Sequence, residues 1–332
     1  MKKLFAALAA ALLLITVAAC TRNGDDPDKN ADPDSGGAIR IGAMNGPTMM
    51  GLGKLNDDVT KDADSKYTVT KEITADAIIA GLANKTYDAA AVPANNAAIL
   101  FNNPDIDIKV AVINTLNVLY IIENGETING IADLAGKTIH APGQGSTPEY
   151  TLKYLLDKNG VTTADIVFHT DATEIVTGLK GGTITYAMLP QPAATSAVTG
   201  SQTLKVRLNL SEEWKKIDGN ANTDVVTGVL VVRKDFLTNN KTTFDKFLDD
   251  YKASVTFMTD ADNLDAAAQF VVDLGIVPAL PVAKAALPKC NLSFIEGADM
   301  KNMVSAFLTV LYDQNAAAVG GKLPTDAFYY AR

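Results

Sequence analysis

The sequence predicts an α/β protein of two interleaved lobes, each a mostly parallel sheet flanked by helices and joined by two extended crossovers. Three observations carry that prediction. Short apolar runs alternate with amphipathic stretches from Ala38 onward, the β-α-β pattern of a parallel sheet covered by helices. The series occurs twice, over 39–101 and again over 137–210. Two long β-rich runs, 109–122 and 225–233, stand where a chain would pass from one lobe to the other and back. The composition suits such a chain. Its 332 residues are 47% hydrophobic and 20% charged, too apolar for disorder and too charged for a polytopic membrane protein. A net charge of −9 argues against a nucleic-acid or anionic-membrane binder. Two cysteines and two histidines leave little material for a metal cluster, so neither metal nor cofactor is expected.

The first elements are an address. Met1-Lys2-Lys3 precedes the 16-residue apolar run Leu4–Ala19, the plan of a signal peptide over 1–19 and short for a membrane span. Val17-Ala18-Ala19-Cys20 resembles the bacterial lipobox, which would lipidate Cys20 and anchor the chain to the membrane. The rest of 20–37, rich in Asp, Gly and Pro, cannot bury a core and reads as a flexible tether. Loss of Lys2 and Lys3 leaves 27 basic against 38 acidic residues, a mature charge of −11. Cys290 is then alone and reads as a buried thiol.

The folded elements follow. Strands are predicted at 39–44, 67–73, 88–92, 137–141, 166–169, 186–189 and 204–210, besides the two long runs. Helices are predicted at 48–55, 75–84, 95–101, 147–158, 172–179 and 193–198. Asn159-Gly160 and Gly181-Gly182 are stop signals. After Arg233 the pattern is helical, at 243–258, 264–274, 282–287 and 300–311, with an extended end at 328–330. This order places the first lobe at 38–117 plus 229–332 and the second at 118–228. The crossovers fall at 114–120 and 224–229.

In open α/β sheets ligands bind beyond the carboxyl ends of the strands. The loops there are Asn45-Gly46-Pro47-Thr48-Met49, Pro93-Ala94-Asn95-Asn96, Pro142-Gly143-Gln144-Gly145-Ser146-Thr147 and Pro190-Gln191-Pro192. Each joins a strand end to a helix start, where backbone N–H groups are free. Tyr150 lies one turn into its helix and could close over a bound group. The same residues also suit plain capped turns. Met49-Met50 fits soft contact with an apolar ligand or core filling equally well.

The glycine loop lacks GxxxxGK[ST], and GxGxxG, GxSxG, HExxH and CxxC are absent. His140 reads as a strand-end histidine, with ligand contact or pH sensing as the other reading. Asp171-x-x-Glu174 reads as a capping box, although Glu174 faces the ligand side. Trp214 reads as packing.

Several of these segments resemble bacterial ABC-transporter substrate-binding proteins. They are the lipobox, Asn45-Gly-Pro-Thr, Tyr87-Asp-Ala-Ala-Ala-Val-Pro-Ala-Asn, Asp133-Leu-Ala-Gly-Lys-Thr-Ile, Gly143-Gln-Gly-Ser-Thr-Pro and Met188-Leu-Pro-Gln-Pro. The resemblance covers about 38–332 and is nearest to the sulfonate, taurine, nitrate and thiamine-precursor binding group. It implies a type II periplasmic-binding-protein fold that closes on a small-molecule ligand and delivers it to a permease and ATPase complex. It implies ligand contacts at Asn45, Pro47, Thr48, Pro93, Asn95, Asn114, Thr115, Gln144, Ser146 and Thr147. Met49, Asn96, Tyr150 and Gln191 join them from the loop reading. The four loops hold no Arg or Lys, which favours a neutral or singly anionic organic ligand. The chain is thus expected to be a monomeric, extracytoplasmic, lipid-anchored binding protein without catalytic residues. The alternatives are a thiamine-pyrimidine-synthase-like enzyme on the same fold, or a surface sensor or adhesin.

Overall fold

A computed structural model describes residues 38–332. The expected signal peptide, the Cys20 anchor and the tether lie outside the described residues.

In chain order, β1 (Ile39–Met44) leads through α1 (Pro47–Met50) and α2 (Gly53–Lys61) to β2 (Tyr67–Glu72) and α3 (Ala75–Ala83). β3 (Ala89–Pro93), α4 (Ala94–Asn102) and β4 (Ile108–Leu116) follow. After the crossover come β5 (Leu119–Asn124), β6 (Thr138–Pro142), α5 (Thr147–Lys158), β7 (Asp165–His169) and α6 (Ala172–Lys180). The second series ends with β8 (Tyr186–Pro190), α7 (Ala193–Val198), β9 (Leu204–Asn209) and α8 (Leu210–Lys215). The chain returns as β10 (Val226–Arg233), then α9 (Lys234–Thr259), α10 (Leu264–Asp273), α11 (Leu280–Ala286), β11 (Leu292–Ile295) and α12 (Gly297–Gln314).

The two sheets share one plan. The first runs β11-β4-β10-β3-β1-β2 and the second β7-β6-β8-β5-β9. In each, four strands run in one direction (β1, β2, β3 and β4, or β6, β7, β8 and β9), and the strand that arrives from the other lobe (β10 or β5) runs against its neighbours on both sides. The crossover geometry imposes that reversal, so the expected mostly parallel sheets are mixed at one strand each, with β11 a further antiparallel edge in the first. β3 and β10 are buried along their whole length, as strands covered on both faces must be.

The crossovers are short and tied together. Asn117, between β4 and β5, has φ +55°. Its backbone N–H donates to the Val225 carbonyl at 3.0 Å. Its amide donates to Asp224 Oδ1 at 2.8 Å and accepts from Val225 N–H at 3.0 Å. The Asn291 amide donates to the Asn117 carbonyl at 2.9 Å. Asn117 thus ties the two passages together through its backbone and side chain, and its carbonyl joins them to the start of β11. β10 begins at Val226, so the chain re-enters the first sheet three residues before the expected boundary at 229.

Four elements differ from expectation. The helix expected at 48–55 is two, α1 and α2, and runs on to Lys61. Ser254 on α9 causes the break: its hydroxyl donates to the Gly51 carbonyl at 2.7 Å and accepts from Leu55 N–H at 3.0 Å. α9 starts at Lys234 rather than 243, with a kink at Asn240. β11, only four residues long, pairs irregularly with β4 and gave no alternation to read. The extended end expected at 328–330 starts later: Asp326–Phe328 is a 3₁₀ turn, and the chain is extended from Tyr329, which bridges Val110 in parallel, with Tyr330 N–H donating to the Val110 carbonyl at 2.8 Å.

Cys290 is buried, and burial pushes its thiol pKa up, so it is inert packing. Trp214 is fully buried, 4.7 Å from Tyr154 and 5.6 Å from Phe307 between ring centroids. Its indole N–H donates to Thr223 Oγ1 at 2.8 Å. Among the described residues, no helix is long and apolar enough to cross a membrane.

Candidate functional site

The carboxyl ends of β1, β2 and β3 face those of β6, β7 and β8 across a cavity of about 680 Å³. Strand-to-helix turns from both sheets line it, because a parallel strand that feeds a helix leaves its turn at the sheet's end. Seven of the fourteen expected ligand contacts lie on its walls: Asn45, Pro47, Thr48, Pro93, Gln144, Ser146 and Gln191.

On the first lobe, Thr48 Oγ1 donates to the Met44 carbonyl at 2.9 Å, closing the turn into α1. The Asn45 Oδ1 is buried and has no hydrogen-bond partner in the protein. A buried amide oxygen without a partner is costly, so it is an acceptor ready for a ligand donor. Thr227 on β10 contributes to the floor. Gly228 beside it is required by close approach, since a Cβ there would sit 2.4 Å from Thr48 Cγ2 and 2.5 Å from Asn114 Oδ1.

On the second lobe the glycine loop is largely spent on itself. Gly143 and Gly145 take φ +80° and +73°, a left-handed backbone that favours glycine. Ser146 Oγ donates to the Gly143 carbonyl at 2.6 Å, and Gly145 N–H donates to Glu149 Oε2 at 2.6 Å. A carboxylate of the chain therefore occupies part of the place where a helix N-terminus would hold an anion. Gln191 is buried, its Oε1 accepting from the Thr195 hydroxyl at 2.8 Å.

The other seven expected contacts lie elsewhere. Asn95 and Thr147 meet each other: Thr147 Oγ1 donates to Asn95 Oδ1 at 3.1 Å. The Asn95 amide donates to the Gly145 and Ala318 carbonyls at 3.1 and 3.2 Å. These polar atoms are consumed by a bridge between lobes. Asn114 lies under α1, where its amide donates to the Thr48 carbonyl at 3.3 Å. Asn96 and Thr115 are buried away from the cavity walls, and Met49 is packed in the first-lobe core. Tyr150 does not close over the cavity. It lines a separate groove with Tyr154, Asp313 and Gln314, between α5 and α12.

Sequence reasoning missed three parts of the wall. Ile73, Thr74 and Asp76 follow β2, and Phe168, His169 and Asp171 end β7 or begin α6. Both are strand ends of the kind already used to choose the four loops. Ile276, Pro278 and Val282 form the third part, beside α11 where it packs on α7. Nothing local signals that these distant residues reach the cavity.

The cavity is mostly apolar. Seven prolines line it, and each lacks the N–H that could hold an anion. Lys180 is its one lysine, and no arginine lines it. The histidines stand in series. His140 Nδ1 lies 2.8 Å from His169 Nε2, and His169 Nδ1 lies 3.3 Å from Glu174 Oε2. Burial, then the neighbouring His169, holds His140 below its ordinary pKa. The expected capping box is only half present: Asp171 caps α6 by accepting from Thr173 N–H at 2.7 Å, whereas Glu174 turns to His169. Among the described residues, no group of His, Cys, Asp and Glu is arranged to hold a metal ion.

Comparison with known proteins gives the fold a context. Residues 105–263, from β4 through the second lobe and into the helices beyond β10, match the NMT1/THI5-like family. No curated protein matches by sequence. Solved structures match over most of the chain. An ABC transporter protein from Parabacteroides distasonis is 21% identical, with TM-score 0.71, over 89% of this chain and 99% of its own. The periplasmic aliphatic sulphonate binding protein SsuA of Escherichia coli is 13% identical, with TM-score 0.70, over 89% and 92%. The periplasmic nitrate-binding protein NrtA of Synechocystis is 11% identical, with TM-score 0.60, over 88% and 90%. The chain thus carries an NMT1/THI5-like segment over residues 105–263 and, over its described length, the two-lobed fold of ABC-transporter periplasmic binding proteins.

Proposed function

We propose that the chain is the extracytoplasmic solute-binding lipoprotein of an ABC importer. It binds a small organic solute, neutral or singly anionic, between its lobes and hands it to a permease and ATPase without altering it. After removal of 1–19, Cys20 carries the lipid and 20–37 spans from the membrane to a monomeric binding domain.

The observation that carries this reading is the cavity itself. It lies between two similar sheets, is lined by turns from both, and is flanked by crossovers that share one hydrogen-bonded node. Such a cavity changes shape when the lobes move, which couples ligand binding to a change of conformation. Within it, Asn45, Thr48, Gln144, Ser146 and Gln191 supply polar contacts, and the prolines, Ile73 and Phe168 hold the apolar body of the solute. The names of the structural neighbours support the same role.

The test is thermal-shift screening of a form beginning at Thr21 against amino acids, sulfonates, nitrate, short carboxylates and heterocycles. A true solute at a hundredfold excess over its Kd stabilises by about 2.7 kcal/mol. If nothing in the panel raises the Tm and nothing copurifies, the transport reading is lost.

A further inference from the structure

Both histidines of the chain meet in the second lobe, His169 on the cavity wall and His140 next to it on β6. β6 and β7 are parallel, with His140 opposite Val167 and His169 two residues further on. That diagonal puts both rings on one face of the sheet, with centroids 5.1 Å apart. His169 lines the cavity, and Glu174 is more than half exposed on α6.

An N···N contact of 2.8 Å requires one ring to donate and the other to accept. In the neutral pair one proton occupies that contact. The geometry has room for one further ring proton: an imidazolium at His169 would donate to Glu174 on one side and to His140 on the other. A fourth is resisted, because both facing nitrogens would then bear hydrogen. The pair therefore changes charge by one.

The charged neighbours are few. Asp171 is committed to Thr173 N–H, and Lys180 ends α6. Asp165 is at the far end of β7. On the glycine-loop side Glu149 is committed to Gly145 N–H and Lys153. Asp76 lines the cavity from α3 on the opposite lobe.

We propose that His140, His169 and Glu174 form a proton-adjustable subsite that recognises an anionic group of the bound solute and grips it more tightly as the pH falls. The proposal rests on the solute-binding reading. It places the anion beside β7 and α6, and not at the α5 N-terminus, where Glu149 already sits. Glu174, at 3.3 Å and exposed, is the partner an incoming anion displaces from His169 Nδ1.

Two measurements test it. With ¹⁵N-labelled histidine the protein shows ring signals from only two histidines. The expected titration has one ring taking a proton and the other resisting to lower pH. His140→Gln changes the tautomer pattern of His169, and so does the exposed Glu174→Gln, which alters the partner at its Nδ1. Independent titration of the rings, with His169 unaltered by both substitutions, overturns the proposal without any ligand.

The second measurement is equilibrium dialysis of ethanesulfonate, which is ionised throughout, at about pH 5.5 and about pH 8. Binding should be roughly fivefold tighter in acid, the worth of a partly exposed ion pair, and His169→Gln should bind equally at both values. Equal binding by the wild type, or binding of neutral solutes only, overturns the proposal. If no solute binds at all, it is the solute-binding reading that fails, and the spectra alone decide whether the histidine pair exists.

Discussion

Gly228 shows how one missing side chain shapes the cavity floor. Thr48 and Asn114 approach its Cα so closely that a methyl group has nowhere to go. Gly228→Ala should destabilise by about 1–3 kcal/mol through overpacking, read as a lowered urea midpoint with an unchanged slope. Glu123 is a second informative residue. It is buried, accepts from the Thr127 hydroxyl and from the Thr127 and Ile128 N–H groups, the last two at 2.9 and 3.0 Å, and lies 3.7 Å from Arg207. Burial alone would raise its pKa, but these hydrogen bonds and Arg207 hold it below the ordinary carboxylate value. A group depressed in the folded state stabilises fully above its unfolded pKa and loses that contribution as pH falls through the folded one. The second lobe should therefore weaken below about pH 4, and Glu123→Gln should flatten that part of a stability–pH curve while lowering stability at neutral pH.

Among the elements, the crossovers carry the sharpest expectation. Asn117 combines a left-handed backbone with side-chain bonds to the second passage. Asn117→Ala loses both and should cost about 2–3 kcal/mol. Asn117→Gly keeps the backbone but loses the side-chain bonds. A smaller loss in stability for Asn117→Gly than for Asn117→Ala, each read from a urea midpoint, would separate the two contributions. The same scale shows what the sequence could reveal. Most strands and helices were legible because each carried its own period and its own stop signal, α5 from Thr147 to Lys158 being a clear case. The α1–α2 break was not, because its cause, Ser254, lies about two hundred residues away in sequence. The site was half legible for the same reason. Strand-end turns announce themselves locally, and the rule that selected four of them applies equally to the ends of β2 and β7. The Asn95–Thr147 bridge depends on how two lobes meet, which no local pattern encodes.

At the level of the whole molecule, two sheets of one plan exchange a strand's worth of chain at each crossover, and the cavity lies where their carboxyl ends face. The lobes also touch away from the cavity, through Asn95–Thr147 and through Trp214 of α8 against Phe307 of α12. Thr147→Val removes a hydroxyl from the first contact and leaves the cavity walls in place. It should shift the unliganded protein toward a more open form, visible as a larger radius of gyration by small-angle scattering. The Trp214 contact has an optical consequence. The chain contains one tryptophan, and that residue lies outside the cavity lining. Because it packs on Phe307 of the other lobe and not on the solute, its emission should respond to movement between the halves of the molecule and not to direct contact with solute. Intrinsic fluorescence of the unlabelled protein is therefore a goniometer: a quenching or spectral shift on adding solute, abolished by Phe307→Leu, would report rotation of the lobes in real time.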